Sequence, residues 1–218
     1  MAGIAGLGAE LLLSDGLSAM TEFNLIANVT NISGPSLALD VEEVTSHEST
    51  GGWEEVVATI LRTGEVTLEI NYDPASHMHR IGTGAGLAIT GVNIGADQIT
   101  VAGNYASLFT SGLWFRIEGS TGNDGSWKVD TSAFGAATVI DVDGDIADAT
   151  VDGTVVVVTL PMALQTRELV DCILRFPDVA ATEWVLYGYV TKFEPGAPFE
   201  GKLTASVSIK LTAAPVLV

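Results

Sequence analysis

The strongest constraint on the fold is a strict alternation of apolar and polar residues in two segments of the chain. Residues 65–72 and 202–211 both place an apolar side chain at every second position. Successive side chains of a β-strand point to opposite faces of a sheet, whereas a helix brings together residues three and four positions apart. Each segment therefore predicts a strand with one face in a core and the other in water.

Other segments extend this β pattern along most of the chain. Runs rich in β-branched residues predict strands at residues 25–32, 37–45, 169–176 and 184–192, with Pro195-Gly196 as a break. Shorter strands are predicted at residues 98–101, 113–118, 126–129 and 138–142. Helix is predicted only at residues 76–80, as a single turn, and at residues 161–168. The predicted fold class is therefore mainly β.

The change from long to short strands and back divides the chain into two domains. Residues 1–80 and 159–218 are predicted to form one discontinuous domain, and residues 81–158 an inserted small all-β module. Glycine-rich residues 82–86 mark the entry to the module and predict a hinge. A phosphate-binding loop is disfavoured because no Lys-Ser/Thr pair follows these glycines.

The charge balance argues against nucleic-acid binding. Nine Lys and Arg residues against 27 Asp and Glu residues give a net charge of −18, and such a surface repels phosphate backbones and anionic membranes. Hydrophobic residues still make up 47% of the chain, which predicts a folded body with an acidic surface. The longest uncharged stretches, residues 81–96 and 98–115, are interrupted by glycine and polar residues and predict no membrane helix.

No residue pattern predicts catalysis or a cofactor. The single Cys172 lies in a strand-like run, which favours a packed thiol, and three histidines with one cysteine do not form the usual zinc sets. His77 and His79 have no third ligand nearby in sequence and are predicted to lie in a polar turn. The tryptophans are interpreted as core anchors or subunit contacts in preference to a sugar-binding platform; they are Trp53, Trp114, Trp127 and Trp184.

Closely spaced carboxylates in the module leave calcium binding open as an alternative. Asp141, Asp143 and Asp145 are followed by Asp148 and Asp152, and oxygen-rich clusters suit a hard cation. The spacing departs from the EF-hand rule, because glycine falls at the fourth position and no glutamate closes the loop. A solvated turn is the competing interpretation.

Several stretches outside the module share an order and spacing with a known family. They are FNLI and ISGP within residues 23–35, VTSHESTGGWEE at 44–55, TGEVTLEINYDP at 63–74, RFPD at 175–178, WVLYGYVTKFEP at 184–195 and KLTASVSIKLT at 202–212. Together they resemble the tail tube proteins of siphophages, over residues 23–80 and about 165–214. Inside the module, IEGSTGNDGSWKV at residues 117–129 resembles a small β module that recurs in phage structural proteins.

This resemblance implies a β-sandwich or partly open barrel with one flanking helix. It implies that copies close into hexameric rings, that the rings stack into a hollow tube through which DNA passes, and that the chain is a structural subunit and not an enzyme. The implied partners are further copies of the chain, the tail tip and tail terminator proteins, and the tape measure protein in the lumen. The implied location is the virion tail, assembled in the host cytoplasm, without membrane contact or specific DNA binding.

The resemblance also implies which residues make the contacts between rings. Stacking involves the N-terminal segment and a long loop, which corresponds here to residues 44–53. The candidate inter-ring residues are Val44, His47, Glu48, Gly51, Gly52 and Trp53. The apolar segment 2–13 fits a stacking role because it requires a partner surface.

Acidic residues are the candidates for the wall of the lumen, because a basic wall would hold DNA. Glu65 and Glu69 rank first, since they alternate with an apolar face, and Asp40 and Glu42 rank second. The module is expected on the outer surface, so that replacing residues 81–158 by a short Gly/Ser linker leaves tube assembly intact. The alternative function left open is a carbohydrate- or calcium-binding β module of a virion surface protein.

Overall fold

A computed structural model describes residues 8–15, 22–44, 56–79, 86–197 and 201–218. Within these ranges the chain has fifteen strands, one α-helix, α1 (Leu160–Thr166), and a 3-10 turn, His77–His79. The strands are β1 (Ala9–Ser14), β2 (Phe23–Ser33), β3 (Leu37–Glu43), β4 (Val56–Thr63), β5 (Glu65–Asn71), β6 (Leu87–Asn93), β7 (Gln98–Val101), β8 (Trp114–Glu118), β9 (Gly125–Phe134), β10 (Thr138–Val142), β11 (Thr154–Val156), β12 (Leu169–Arg175), β13 (Glu183–Gly196), β14 (Thr204–Leu211) and β15 (Val216–Leu217). The predicted mainly β fold class is confirmed.

Seven strands form one antiparallel sheet, here called the ring sheet, in the order β12-β1-β2-β5-β14-β13-β15. Strand β12 also pairs with β13, so the pairing returns to its first strand and β15 is left outside the ring. The interior of the ring sheet holds the main hydrophobic core, in which Leu11, Leu68 and Leu174 have no exposed surface. A sheet curled onto its own core agrees with the predicted partly open barrel.

The two segments that alternate most strictly lie side by side in the ring sheet. Strands β5 and β14 pair from Asn71 opposite Thr204 to Glu65 opposite Lys210. The apolar residues of β5 are fully buried, whereas Glu65 and Glu69 are exposed. The predicted strands and their two faces are confirmed.

Strand β1 corrects an expectation drawn from the sequence. It lies between β12 and β2 and places Leu11 and Leu13 in the main core, with Leu12 buried on its other side. The partner surface of this apolar segment is therefore the chain's own sheet, and a stacking role for residues 9–13 is wrong. Because both faces of β1 are covered, its leucines follow one another without alternation and the sequence does not predict a strand. Residues 2–7 lie outside the described ranges.

Strand β13 runs further than the sequence predicts. It continues through Pro195 to Gly196, so the predicted break at these residues is wrong. Beyond Tyr189 it pairs with β14 alone among the described strands. A proline lacks the N–H that a second neighbour requires, and it is therefore tolerated where a strand has one neighbour.

Strands β6 to β11 close into a second body, here called the barrel, in the order β10-β7-β6-β11-β8-β9. Its own core includes Ile99, Phe109, Phe115 and Ile140, and the rings of Phe109 and Phe115 meet edge to face with centroids 5.7 Å apart. The observed β7 and β10 have the predicted bounds. The sequence does not predict β6, which Gly91 interrupts, or β11, which has three residues.

A short helix flanks the ring sheet, as the resemblance implies. Thr159 caps its first turn by accepting a hydrogen bond from Met162 N at 3.3 Å, and Pro161 supplies a backbone angle suited to a helix start. Arg167 ends the helix in the left-handed conformation, with φ at 59°. The buried Leu160 packs in the main core. Within the described part of the chain, no helix has the length and apolar character needed to cross a membrane.

Strands β3 and β4 form an antiparallel pair, here called the ribbon. Within the described ranges neither strand pairs with any other strand. The ribbon follows β2 and precedes β5, so both of its ends join the ring sheet. Residues 45–55, which connect β3 to β4, lie outside the described ranges.

Candidate assembly surface

The base of the ribbon is fixed by a close approach of two backbone segments. A Cβ added at Gly64, after β4, would lie 1.6 Å from the carbonyl oxygen of Ser36, before β3, so only glycine fits there. Thr63 Oγ1 donates a hydrogen bond to Leu211 O at 2.8 Å, and Leu211 N donates one to Gly64 O at 3.1 Å. The ribbon is therefore tied to β14 at its root.

The two faces of the ribbon differ in chemistry. Cross-strand pairs place Leu37 opposite Thr63, Leu39 opposite Leu61 and, after a bulge, Val41 opposite Ala58. Since paired residues share a face, one side of the ribbon is almost wholly apolar. This apolar face consists of Leu37, Leu39, Val41, Val56, Ala58 and Leu61, together with Thr63 and Glu43 at its ends. The opposite face carries Ala38, Asp40, Glu42, Val57 and Arg62. Thr59 and Ile60 lie at the bulge, and Ile60 is also exposed.

The charged face holds an ion pair that ties the two strands together. Arg62 Nε and Nη2 both lie 2.5 Å from Asp40 Oδ2, and Thr59 Oγ1 donates to Asp40 O at 3.1 Å. The hydrogen bond from Arg62 lowers the pKa of Asp40, so this carboxylate stays ionised. The pair lies in solvent, where such contacts contribute little to stability.

The apolar face of the ribbon is uncovered. Leu39, Val41 and Leu61 are 54%, 57% and 63% exposed, whereas comparable side chains in the ring sheet are fully buried. An isolated two-stranded ribbon is marginally stable in water, and an exposed apolar sheet face is a site for association. The ribbon is thus the part of the described chain that most clearly requires a partner surface.

The candidate inter-ring residues lie in sequence between β3 and β4. Val44, the first of them, directly follows β3 and is 47% exposed. The remaining five, His47, Glu48, Gly51, Gly52 and Trp53, lie outside the described residues. Their role stays a prediction.

The four lumen candidates do not lie together. Glu65 and Glu69 are exposed on the polar face of β5, where Glu65 stands opposite Lys210 and Glu69 opposite Ser206. Asp40 and Glu42 lie on the ribbon instead. The polar face of the ring sheet also carries the Lys192–Glu194 ion pair, whose Nζ and Oε2 are 2.5 Å apart. This face is therefore mixed in charge, with a small excess of carboxylates.

Two carboxylates of the barrel loops, Asp148 and Asp152, are engaged by local hydrogen bonds. Asp152 accepts bonds from Ser120 Oγ at 2.9 Å and from Thr121 Oγ1 at 2.5 Å, and these bonds, first that of Thr121, lower its pKa. Asp148 accepts from Thr150 N and Oγ1 at 2.9 and 2.7 Å. Across the described ranges, no group of three or more His, Cys, Asp or Glu side chains is placed to hold a metal ion. The arrangement is that of capped turns, and nothing in it favours the calcium alternative.

His79 lies in the predicted turn, the 3-10 turn His77–His79, but its side chain is buried and has a structural role. It is 4% exposed and stacks on Tyr72, with ring centroids 5.7 Å apart. Its Nδ1 accepts a hydrogen bond from Asp73 N at 2.9 Å, so Nε2 carries the proton and donates to Ile26 O at 2.9 Å. The imidazole therefore pins the segment after β5 against β2.

Cys172 is a packed thiol, as predicted. It lies on β12 within the main core and has no exposed surface. Burial, with a smaller contribution from the charge of Asp171, raises the pKa of Cys172 to about 12. A thiol that stays protonated at neutral pH is not a nucleophile.

The described tryptophans are half-buried and pack within the chain. Trp184 meets Phe176 edge to face at 5.0 Å between ring centroids, against the main core. Trp127 packs on the barrel core and donates from Nε1 to Asn123 O at 2.9 Å. Trp114 has Lys128 Nζ 5.9 Å from its ring centroid. These positions agree with core anchors; Trp53 lies outside the described residues.

Comparison with known proteins gives no family assignment. The sequence matches no protein-family model and no curated protein. Among solved structures, a similar chain belongs to one described as "Cryo-EM structure of the anti-feeding prophage (AFP) baseplate, 6-fold symmetrised". The two chains share 12% identity with a TM-score of 0.45, over 100% of this chain and 96% of the other. A likeness of this degree assigns no function.

Proposed function

We propose that the chain is a structural subunit of a siphophage-type tail tube, in which hexameric rings stack into a hollow tube that DNA passes through. The observation that carries this proposal is the ribbon, an apolar sheet face that is fixed at its base and left uncovered by the described residues. The ring, its six copies and the stacking of rings are inferred from the resemblance of the ring-sheet segments to tail tube proteins.

In this proposal the apolar face of the ribbon is covered by a neighbouring copy. Burying a half-exposed Leu or Val contributes about 1 kcal/mol, so the several large side chains of the face together stabilise a contact well. Within the described ranges both strands of the ribbon also keep one unpaired edge, which offers backbone N–H and C=O groups to another strand. Loop residues 44–53 at the end of the ribbon are assigned to the contact between rings.

The acidic composition suits a tube for DNA. A polyanion with about one charge per 1.7 Å of axis binds strongly to a basic wall and is released only at high salt. We assign the lumen to the polar face around Glu65 and Glu69, where hydroxyl side chains such as Thr67 and Ser206 alternate with a few charges of both signs. Such a wall offers DNA no continuous basic surface. The partners in this role are further copies of the chain, the tail tip, terminator and tape measure proteins.

The domain assignment belongs to the same proposal. Residues 1–80 and 159–218 form the tube domain, and residues 81–158 form an inserted module on the outer wall of the tube. This domain assignment is supported by the barrel strands, from Leu87 to Val156, which enclose a core of their own. The ring sheet obtains all seven of its strands from the rest of the chain.

The experiment is negative-stain electron microscopy of the purified protein at high concentration, combined with sedimentation velocity. We expect hollow tubes for the natural chain and soluble monomers for Leu61→Asp, because a carboxylate on the apolar face cannot be buried against a neighbour. The matched control is Val57→Asp, which places the same charge on the opposite face of the ribbon.

Two outcomes would contradict the proposal. A natural chain that stays monomeric at millimolar concentration, across several salt conditions, rules out self-assembly into tubes. If tubes form equally well with Leu61→Asp and with the control, the apolar face of the ribbon is not an assembly surface. Equal loss of tubes in both variants would show that both faces of the ribbon are covered.

A further inference from the structure

The barrel touches the ring sheet through one of its strands, β8, and the first contact is a double hydrogen bond. Asn24 on β2 is 5% exposed. Its Nδ2 donates to Trp114 O at 2.8 Å, and its Oδ1 accepts from Trp114 N at 2.8 Å. The amide of Asn24 thus pairs with the backbone of β8 as a neighbouring strand would, although the two residues are far apart in sequence.

The second contact lies two residues further along the same strand. Arg116 is 6% exposed, and its Nη1 donates to Asp15 O at 2.9 Å and to the carboxylate of Glu168. Asp15 directly follows β1, and Glu168 lies between α1 and β12. One guanidinium of the barrel therefore holds two separate segments of the ring-sheet body.

Arg116 remains charged in this buried place. Burial alone lowers the pKa of Arg116, but the hydrogen bonds and charges of Glu168 and Glu118 raise it overall. The cost of desolvating a buried ion pair largely offsets the attraction between its charges, so the pair adds little net stability. Its hydrogen bonds still fix the orientation of the groups that it joins. Met78, just before the barrel, adds an apolar contact by packing against both hydrophobic cores.

We infer that Asn24 and Arg116 are positioning residues that hold the barrel at one fixed orientation on the ring sheet. The inference does not depend on the proposed function. It changes the expectation for the linker replacement: removing residues 81–158 takes away the hydrogen-bond partners of Asn24 and Glu168. The ring sheet without its barrel is therefore expected to be less stable than the intact chain, even though it contains all its own strands.

The test measures the distance between the two bodies in the intact monomer. Spin labels are attached at Phe134→Cys on the barrel and Tyr189→Cys on β13, both exposed positions, while the fully buried Cys172 stays unlabelled. Double electron–electron resonance is then recorded. We expect one narrow distance distribution in the otherwise natural chain, and a distribution at least twice as wide in Asn24→Leu combined with Arg116→Met.

The matched control is Glu118→Gln. Glu118 contacts Arg116 Nε at 2.5 Å but lies on the same strand, so this change removes an ion pair of Arg116 without touching the junction. Its distribution is expected to stay narrow. If Arg116→Met does not fold, Asn24→Asp and Arg116→Lys, which each keep part of the contacts, are expected to give intermediate widths.

A broad distribution of label–label distances in the chain with a natural junction would overturn the inference. An unchanged narrow distribution in the folded double variant would also overturn it. Amide hydrogen exchange separates orientation from folding, because protection inside the barrel core and inside the ring sheet is expected to persist when only the junction opens. Loss of protection throughout both bodies together with a widened distribution would assign the two residues a general folding role instead.

Discussion

The barrel and the ribbon are both inserted between strands of the ring sheet, and they differ in whether their apolar side chains are buried. The barrel turns Ile99, Phe115 and Ile140 into a core of its own, with almost no exposed surface. The ribbon leaves Leu39 and Leu61 more than half exposed. A closed barrel of six strands buries its apolar side chains in its own interior. Two strands enclose no interior, so their apolar side chains are buried only against another surface. The barrel therefore has its own hydrophobic core, whereas the ribbon presents an apolar face that another molecule can cover.

The largest expected effect is in the barrel, with Phe115→Ala. Phe115 is fully buried and packs against Phe109, so its removal leaves a cavity and is expected to cost about 3–5 kcal/mol in the free energy of unfolding. Denaturant unfolding with amide exchange in the barrel strands measures this. Phe134→Ala, at an exposed position of the same barrel, is the control and is expected to change stability by about 0.5 kcal/mol or less. A cost below about 1 kcal/mol for Phe115→Ala would contradict a self-sufficient barrel core.

A middle-sized effect is expected at the root of the ribbon, with Gly64→Ala. The added methyl group meets the backbone of Ser36, which has to move, and overpacking of this kind costs about 1–3 kcal/mol. Exchange of the Leu211 amide hydrogen, which is bonded to Gly64 O, is the local readout and is expected to speed up. Gly135→Ala is the control, because nothing lies within 4 Å of its added Cβ. An unchanged Leu211 amide would show that the ribbon is not anchored there.

The smallest effect on the monomer is expected for Leu39→Ala on the apolar face of the ribbon. Leu39 is 54% exposed, so the free energy of unfolding of the monomer is expected to change by about 0.5 kcal/mol or less. The concentration needed for assembly is expected to rise at the same time, as light scattering would show. The buried Leu68→Ala on β5 serves as the contrast and is expected to cost about 2–5 kcal/mol. A large monomer effect at Leu39 would mean that the chain covers its own ribbon.

Alternation predicts the strands whose two faces meet different surroundings. β5 and β14 have one face in the core and one in water, so their pattern alternates and their bounds follow from it. β1 is covered on both sides and β4 is exposed on both, and in each case the period-2 signal disappears. Local sequence patterns also predict the mainly β class, the flanking helix and the packed Cys172.

The junction between the bodies lay beyond sequence reasoning. Asn24 and Trp114 become partners only after two separate sheets have formed, and Arg116 has only Glu118 of its own strand as a partner until Glu168 is brought beside it. The burial of Arg116 has one sequence signal: it is the one charged residue within the otherwise apolar run 113–117. That signal indicates a paired charge without naming its partner. The loop residues from His47 to Trp53 stay assigned by resemblance.

The pairing of β1 with β12 has a consequence for how the chain is made. Leu12 pairs with Ile173, so the ring sheet joins a strand near the start of the chain to one near its end. The barrel strands all lie between Leu87 and Val156, so the barrel is complete in sequence before β12 begins. The barrel strands therefore leave the ribosome before β12 does, and β1 has to wait for its partner with its leucines partly unprotected. Closure of the ring sheet needs β12 and is therefore expected to be a late step of monomer folding.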